Sequence, residues 1–341
     1  MQHLQPCETH RPWFAAGTTL LAVGFLAVAM GAPVLVAAQD ESTEEMKPAI
    51  LAPLAPRSLL LDVAVAGDGL VAVGERGIIL LSDDSGKSWR QVAVPTRANL
   101  TGVCFLAEGR GWAVGHDSTV LRTGDGGATW EVVNFAPEEE TPLLDVWCVD
   151  DEHGFAVGAY GTFLVTPDGG ETWEFRPVSD YDFHLHHVAR SANGKLYMAA
   201  EAGMVYRSDD GGESWIELPS PYEGSFFATL PLEDDAVLLV GLRGHLYRSE
   251  DAGETWSELE TGTVAMLTDG LDLGDGRVVI TGLGGALLYS SDGGRSFELR
   301  PRPTRRGISA AVIAPDGAIV LVGEGGSQRV VSTELAAERK D

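Results

Sequence analysis

Apolar residues along this chain come in short runs that polar or glycine-bearing turns separate. In residues 143–184 the runs LLDVWCV, GFAVGAY and GTFLVT are followed by a fourth, TWEFRPV. Each run has the length of a β-strand and is rich in Val, Phe, Trp and Thr, whereas none is long enough to show the 3.6-residue period of a helix. The pattern predicts a repeating unit of four short strands, with no helix beyond the N-terminal leader.

A polar turn that ends in an aromatic residue recurs six times, always between the third and fourth runs. Its pattern is [ST]-x-D-x-G-x-[ST]-[WF], as in SEDAGETW at residues 249–256, and successive copies lie 41–43 residues apart. Such a period, with four strands in each unit, is typical of a β-propeller blade. The Asp and the aromatic residue of the six boxes are Asp84 and Trp89, Asp125 and Trp130, Asp168 and Trp173, Asp210 and Trp215, Asp251 and Trp256, and Asp292 and Phe297.

We interpret these boxes as structural. The Asp carboxylate can accept hydrogen bonds from backbone amides one to three residues further on, and the Gly two residues later supplies a positive φ. The aromatic side chain is then expected to pack between neighbouring sheets, where its burial removes a large apolar area from water.

The six boxes and an incomplete seventh unit predict an all-β, seven-bladed β-propeller over residues 48–335. Residues 307–335 contain three strand-length runs but neither a box nor a fourth run. Because an open sheet edge invites aggregation, we expect the last blade to be closed by an N-terminal strand from the apolar stretch at residues 47–54. Residues 336–341 would form a C-terminal tail.

The N-terminal segment has the character of an export signal. Residues 13–38 are almost wholly apolar, and Val36, Ala37 and Ala38 precede Gln39 as a small-residue cleavage site. The run is also long enough to remain as an uncleaved membrane anchor. In either case we expect residues 39–47 to be an acidic linker. The propeller would then be exported, to the periplasm of a bacterium.

The charge excludes some partners. There are 50 acidic and 24 basic residues, which give a net charge of −26. This charge opposes binding to nucleic acid and to anionic membrane surfaces. Only four of the basic residues are Lys, and since Arg favours fixed pairs with carboxylates, we expect many of the arginines to tie neighbouring blades together.

Cys104 and Cys148 fall in the first strands of adjacent blades. When the two repeats are aligned on Gly115 and Gly158, the cysteines lie one position out of step. Their side chains are therefore expected to point to opposite faces of their strands. We expect buried free thiols, with a disulfide as the alternative.

The blade consensus, with GWAVG at residues 111–115, VLRT at residues 120–123 and GDGGATW at residues 124–130, resembles the BNR/Asp-box repeats. More narrowly, residues 55–335 resemble the photosystem II stability/assembly factor family. The resemblance implies a non-enzymatic chaperone, without cofactor, that binds a newly made reaction-centre subunit. In a phototroph it implies a location in the thylakoid lumen. In non-photosynthetic bacteria it implies an accessory factor for another membrane complex, such as a transporter. The expected partner is a membrane protein complex or its subunits, bound by a monomer, and no small-molecule substrate is expected.

A sialidase-like glycoside hydrolase or a glycan-binding propeller is the alternative, because such proteins also carry Asp boxes. The hydrolase would need an arginine cluster, a Tyr nucleophile paired with a Glu, and an acid–base Asp. The Arg-Ile-Pro signature of these enzymes is absent, and Tyr222 and Glu223 are merely adjacent loop residues. We therefore expect no catalytic residue.

A partner is expected on the face opposite the boxes, where the turns between strands two and three meet the loops between blades. Exposed Arg and aromatic side chains are the usual anchors of interfaces, although solvated turn residues are the alternative. The candidates are Arg76, Arg97, His116, Tyr160, Tyr181, His184, Tyr222, Arg243, Arg305 and Arg306. His184 and His186 have a spacing that can bind zinc, but without a third ligand in a fixed arrangement we expect no metal site.

Overall fold

The structure is a computed structural model that describes residues 46–331. The predicted signal peptide or anchor at residues 1–38, nearly all of the acidic linker at residues 39–47 and the tail at residues 336–341 lie outside these described residues. Between residues 46 and 331 the chain forms 27 strands and six short 3-10 turns, without an α-helix. No helix in that range has the length and apolar character that a membrane crossing requires.

Seven antiparallel sheets follow one another along the chain, and each forms one blade. Blades one and two contain β1 (Leu60–Ala66), β2 (Gly69–Gly74), β3 (Ile79–Ser82), β4 (Arg90–Val92), β5 (Leu100–Phe105), β6 (Gly111–Gly115), β7 (Val120–Thr123) and β8 (Glu131–Asn134). Blades three and four contain β9 (Leu143–Cys148), β10 (Gly154–Gly158), β11 (Phe163–Thr166), β12 (Glu174–Phe175), β13 (Leu185–Arg190), β14 (Leu196–Ala200), β15 (Val205–Ser208) and β16 (Ile216–Glu217). Blades five to seven contain β17 (Phe226–Pro231), β18 (Val237–Gly241), β19 (Leu246–Ser249), β20 (Ser257–Glu258), β21 (Leu267–Gly274), β22 (Arg277–Gly282), β23 (Leu287–Ser290), β24 (Glu298–Leu299), β25 (Ile308–Ile313), β26 (Ile319–Gly323) and β27 (Gly326–Val330).

The blades form a closed ring. Their first strands lie side by side around the axis, and β25 of blade seven contacts β1 of blade one. Each blade pairs its strands in chain order, so the first strand is innermost and the fourth is outermost. The seven-bladed, all-β fold predicted from the repeat is confirmed.

The predicted closure of the last blade by an N-terminal strand is wrong. Blade seven has three strands within the described residues, and residues 47–54 form none. Instead the Ala49 N–H donates to the Val94 carbonyl of blade one at 3.0 Å. Between residues 46 and 59, the N-terminal segment meets blade seven as a 3-10 turn at Ala55–Arg57, where the Pro56 carbonyl lies against Gly326. Three prolines between residues 48 and 56 explain the difference, because proline lacks the N–H that a ladder requires.

The core consists of apolar layers between adjacent blades. Between blades seven and one, Leu70 and Leu80 pack with Val320 and Val322, and Trp89 of the first box lies against them. The second strands are buried on both faces along their whole length in the GWAVG and GFAVG segments. In all six boxes the aromatic side chain packs on the blade that precedes its own.

Equivalent arginines on the third strands join four of the seven blades to the box of the next blade. The guanidinium groups of Arg122, Arg207, Arg248 and Arg329 donate to box carbonyls of the following blade at distances of 2.7–3.3 Å. Arg329 closes the ring, because its acceptor is the Ser85 carbonyl of blade one. The expectation that arginines tie neighbouring blades is confirmed at these four positions.

Candidate partner-binding face

The boxes occupy one face of the ring, and their polar groups are used within their own turns. In the third box, Asp168 Oδ1 accepts the Thr172 N–H at 2.9 Å and Oδ2 accepts the Thr172 hydroxyl at 2.7 Å. This amide is four residues on, one beyond the range that the Asx-turn pattern suggested. In the sixth box, Asp292 Oδ1 also accepts the Arg295 N–H, three residues on, at 3.0 Å. The Gly170 N–H donates to the Thr166 hydroxyl oxygen at 2.8 Å, and the same bonds recur in the other boxes.

These hydrogen bonds hold the box carboxylates in their charged form. The Ser88 hydroxyl and amide lower the pKa of Asp84 to about 2, and Ser214 does the same for Asp210. A carboxylate with so low a pKa is a poor proton donor or acceptor near neutral pH. The boxes are therefore turn-forming elements without the features of an acid–base site.

On the opposite face, each turn between strands two and three is bonded to the loop that precedes a first strand. The Arg76 N–H donates to Asn99 Oδ1 at 2.9 Å, and the Gly161 N–H donates to the Phe183 carbonyl at 3.0 Å. The central residue of these turns is left-handed, with φ of 55° at Arg76 and 57° at Arg243. The structure therefore brings the predicted face residues onto two sets of adjoining loops.

The five arginines predicted for this face are exposed, but their surroundings differ. Arg97 is held by a hydrogen bond from Nε to the Pro48 carbonyl at 2.8 Å, and Arg306 lies over Gly325 of blade seven. Between residues 46 and 331, no ion pair involves any of the predicted set of Arg76, Arg97, Arg243, Arg305 and Arg306. Of these guanidinium groups, that of Arg97 is partly used by its bond to Pro48.

The predicted aromatic residues fall into two groups. Tyr160 and Tyr181 are 60% and 54% exposed, and the ring of Tyr160 meets His184 edge-on at 5.2 Å. Tyr222 instead packs on His245 with ring centroids 4.2 Å apart, inside a stack that extends to Tyr247. His116 is exposed at the equivalent turn of blade two. Tyr160 and Tyr181 are thus surface aromatics, whereas Tyr222 is partly committed to the core.

The histidines of the YDFHLHHV segment have partners other than a metal. His184 Nδ1 lies 3.2 Å from Glu201 Oε2, and His186 Nδ1 donates to the Phe226 carbonyl at 2.8 Å. Burial lowers the pKa of His186, so its ring is neutral near pH 7. Within residues 46–331 no group of three or more His, Cys, Asp or Glu side chains is arranged to hold a metal ion.

A set of half-buried carboxylates around the central channel was not anticipated from the sequence. The first strands enclose an open cavity of about 430 Å³, and Asp62, Asp145 and Asp269 occupy equivalent positions on its wall, each directly after a β-bulge. Each carboxylate accepts the N–H of the next residue and an N–H from the following blade. The inter-blade bonds join Asp62 to Val103 at 2.8 Å, Asp145 to Val188 at 3.0 Å and Asp269 to Ala311 at 2.9 Å.

The position of these groups changes their acidity. Burial, with a smaller contribution from the charge of Asp145, raises the pKa of Asp62 to about 7. Burial likewise raises the pKa of Asp145 and of Asp269 to about 6, and it lowers the pKa of His187, which occupies the same position in blade four. The recurrence of Asp one residue after Leu or Thr, as in LLDV, LLDV and LTDG, was the sequence signal that could have identified them.

The expectation of free thiols at Cys104 and Cys148 is wrong. The two residues form a disulfide between the first strands of blades two and three, with their Cα atoms 5.7 Å apart. Their side chains do point to opposite faces of equivalent strands. However, the two strands belong to adjacent blades. The face of blade two that carries Cys104 packs against the face of blade three that carries Cys148.

Comparison with known proteins supports a specific family. The model of the family described as photosynthesis system II assembly factor YCF48 matches residues 83–143 and 131–340. The chain is 38% identical over 133 residues to a photosystem II assembly lipoprotein Ycf48 of Prochlorococcus marinus, over 38% of this chain and 39% of that protein. It is 41% identical over 130 residues to the corresponding lipoprotein of Trichormus variabilis, over 37% and 38% of the two chains. The chain therefore matches about two fifths of the length of these relatives.

A solved structure described as YCF48 bound to D1 peptide superimposes with a TM-score of 0.69, over 84% of this chain and 97% of that one. The sequence identity across this superposition is 19%, so the likeness establishes the fold alone.

Proposed function

Since the chain belongs to the Ycf48 family of photosystem II assembly factors, we propose that it is an exported, non-enzymatic propeller that binds polypeptide and assists the assembly or stability of a membrane protein complex. In a phototrophic source the client would be photosystem II, and in another source it would be a complex such as a transporter. The family match across residues 83–340 carries the proposal. The solved relative with a D1 peptide supports a polypeptide as the ligand.

The disulfide supports export independently of the N-terminal segment. Disulfides persist in oxidising compartments such as the periplasm and are rare where thiols are kept reduced. The bond between Cys104 and Cys148 joins two blades deep in the ring, and it is compatible with folding outside the cytoplasm. The two relatives above are named as lipoproteins.

We assign client binding to the face of the turns between strands two and three. The carboxylates and hydroxyls of the opposite face are bonded within the boxes, whereas the arginines here are exposed and form no ion pairs among the described residues. Arg76 and Arg243 are at equivalent turns of blades one and five. A guanidinium in an otherwise acidic protein suits a client segment that presents carboxylates or a chain terminus.

A crosslinking pull-down from intact membranes of the source organism tests this proposal. The bait would be the tagged full chain. When the variant Arg76→Glu with Arg243→Glu is used as bait instead, it should recover markedly less of the membrane client. Its thermal unfolding should stay within about 1 kcal/mol of the parent protein, as is usual for surface substitutions. Arg90→Glu with Arg190→Glu is a matched control, because both arginines are exposed at the box end of their blades.

Two results would contradict the proposal. Loss of folding with intact residual binding would show that the two turn arginines are structural and that the client binds elsewhere. Recovery of no membrane protein, together with cleavage of a sialoside by the purified chain, would favour the glycosidase alternative.

A further inference from the structure

The face of the turns between strands two and three is divided by charge. Arg76, Arg243, Arg305 and Arg306 lie on blade one, on blade five and on the loop between blades six and seven. The loops between blades two and three and between blades three and four, residues 135–142 and 177–184, contain five acidic residues and no Lys or Arg. Four of these acids, Glu138, Glu140, Asp180 and Asp182, are exposed and form no ion pair within residues 46–331. We call this side of the face the acidic half.

Two exposed tyrosines stand in the acidic half on loops that are fixed to each other. The turn that carries Tyr160 is bonded to the next loop through the Gly161 N–H and the Phe183 carbonyl at 3.0 Å. The ring of Tyr181 stacks on Phe183 with centroids 5.4 Å apart. Both tyrosines therefore have a rigid base while more than half of each residue's surface remains open to solvent.

The backbone at Tyr160 is unusual for so large a residue. Its φ is 55°, a left-handed value that the same turn gives to Arg76 and Arg243 in blades one and five. The equivalent residues in blades four, six and seven are the small Ala202, Gly284 and Gly325. A bulky residue in the left-handed region is uncommon, and retained strain of this kind is concentrated at binding and catalytic sites. Packing in the core does not explain this conformation, since Tyr160 is 60% exposed.

We propose that the acidic half is a docking surface for an extended, arginine-bearing segment of the client polypeptide. The inference rests on the proposed function, since it takes the ligand to be a polypeptide, and it adds a second, oppositely charged contact region to the arginines. A guanidinium group stacks on a tyrosine face and pairs with carboxylates, and rigid tyrosines offer contact area at a low cost in conformational entropy. The charge of Glu138, Glu140, Asp180 and Asp182 repels anionic lipid and nucleic acid, so a basic polypeptide segment is the complementary occupant.

Fluorescence anisotropy with labelled peptides tests the proposal on the purified chain. The probe is the peptide GSRGSRGSRG at low ionic strength, with GSKGSKGSKG and GSEGSEGSEG as comparisons. We expect the arginine peptide to bind more tightly than the lysine peptide and the glutamate peptide not to bind. The variant Asp180→Lys with Asp182→Lys should weaken binding of the arginine peptide by about tenfold or more, because it reverses the charges that face the ligand. Tyr160→Ala with Tyr181→Ala should weaken it by roughly fivefold, through loss of the stacking surface.

The matched control is Asp68→Lys with Glu152→Lys, which makes the same change in net charge on exposed residues at the box face. It should alter the affinity by less than about twofold, since long-range effects of exposed charges are screened. Equal weakening by the control, absence of binding by the parent protein, or equal affinity for the glutamate peptide would overturn the inference.

The other possible occupant of the acidic half is a second copy of the chain, which would bind through its arginines. Sedimentation equilibrium tests this alternative because it measures the oligomeric state. A dimer that Asp180→Lys with Asp182→Lys dissociates would identify that copy as the ligand and overturn the client assignment. If these variants recovered the membrane client as well as the parent protein does, the acidic half would be excluded while the proposed function stood. Failure of the parent protein itself to recover a client would instead count against the proposed function.

Discussion

Replacing Trp130 with Ala should destabilise the propeller through the layer between blades one and two. The indole is 8% exposed and belongs to the same apolar cluster as Val71, Leu81 and Leu121. It also meets Phe105 edge-on at 6.0 Å, and its Nε1 donates to the Gly127 carbonyl at 2.9 Å. Truncating a buried Trp to Ala costs roughly 3–5 kcal/mol, from lost apolar burial and from the cavity that remains.

The chain supplies its own control for this change. Phe297 fills the equivalent position in the sixth box and packs in the corresponding layer between blades five and six. Trp130→Phe should therefore cost less, roughly 1–2 kcal/mol, because a ring still fills most of the space. Thermal unfolding followed by circular dichroism should show a decrease in Tm of roughly 6–12 °C for Trp130→Ala and a smaller one for Trp130→Phe. An unchanged Tm for Trp130→Ala would refute the argument that the box aromatic joins adjacent blades.

Two other changes test groups that lie near the axis. Cys104→Ser with Cys148→Ser should lower the unfolding free energy by up to about 4 kcal/mol in guanidinium titrations. The reason is that the disulfide closes a loop with a sequence separation of 44 residues. A reduced parent protein as stable as the oxidised one would contradict this prediction. A raised pKa means that folded Asp62, Asp145 and Asp269 retain protons that the unfolded chain releases, so the stability they contribute falls as pH rises from about 4 to about 7. Urea unfolding should therefore show the parent protein losing stability over that range relative to a variant that combines Asp62→Asn, Asp145→Asn and Asp269→Asn. The opposite contribution of His186 is present in both proteins and cancels, whereas that of His187 is coupled to Asp269 and forms part of the difference. A constant difference between the two proteins would contradict the assigned acidity.

The sequence predicted the fold because each repeat contains its own turn chemistry, but it did not reveal contacts between repeats. The boxes, the strand order and the number of blades follow from local residues such as Asp168 and Gly170. The Cys104–Cys148 bond depends on which faces of two blades meet, and parity within a strand does not report that. The role of the half-buried Asp62 could not be predicted for the same reason, since its carboxylate accepts the Val103 amide of another blade.

The candidate face was predicted at the level of loops and only partly at the level of side chains. The position of the boxes places the turns between strands two and three on the opposite face, and the structure has them there. Whether a given side chain on these loops is free depends on its neighbours in the next blade. Tyr222 packs on His245, and Arg97 donates to Pro48 of the N-terminal segment, so both are less available than Tyr160.

The difference between the two faces suggests which residues determine client specificity. At the box face, the same hydrogen bonds recur in six blades because the turn requires the same residue types at each step. At the opposite face, the turns keep a left-handed central residue in blades one, three, four, five, six and seven, yet the residue itself is Arg76, Tyr160, Ala202, Arg243, Gly284 or Gly325. A position with a constant backbone and an unconstrained, exposed side chain can change its chemistry without changing the fold. These central turn residues are therefore the positions at which substitution should alter what the propeller binds while leaving its stability largely intact.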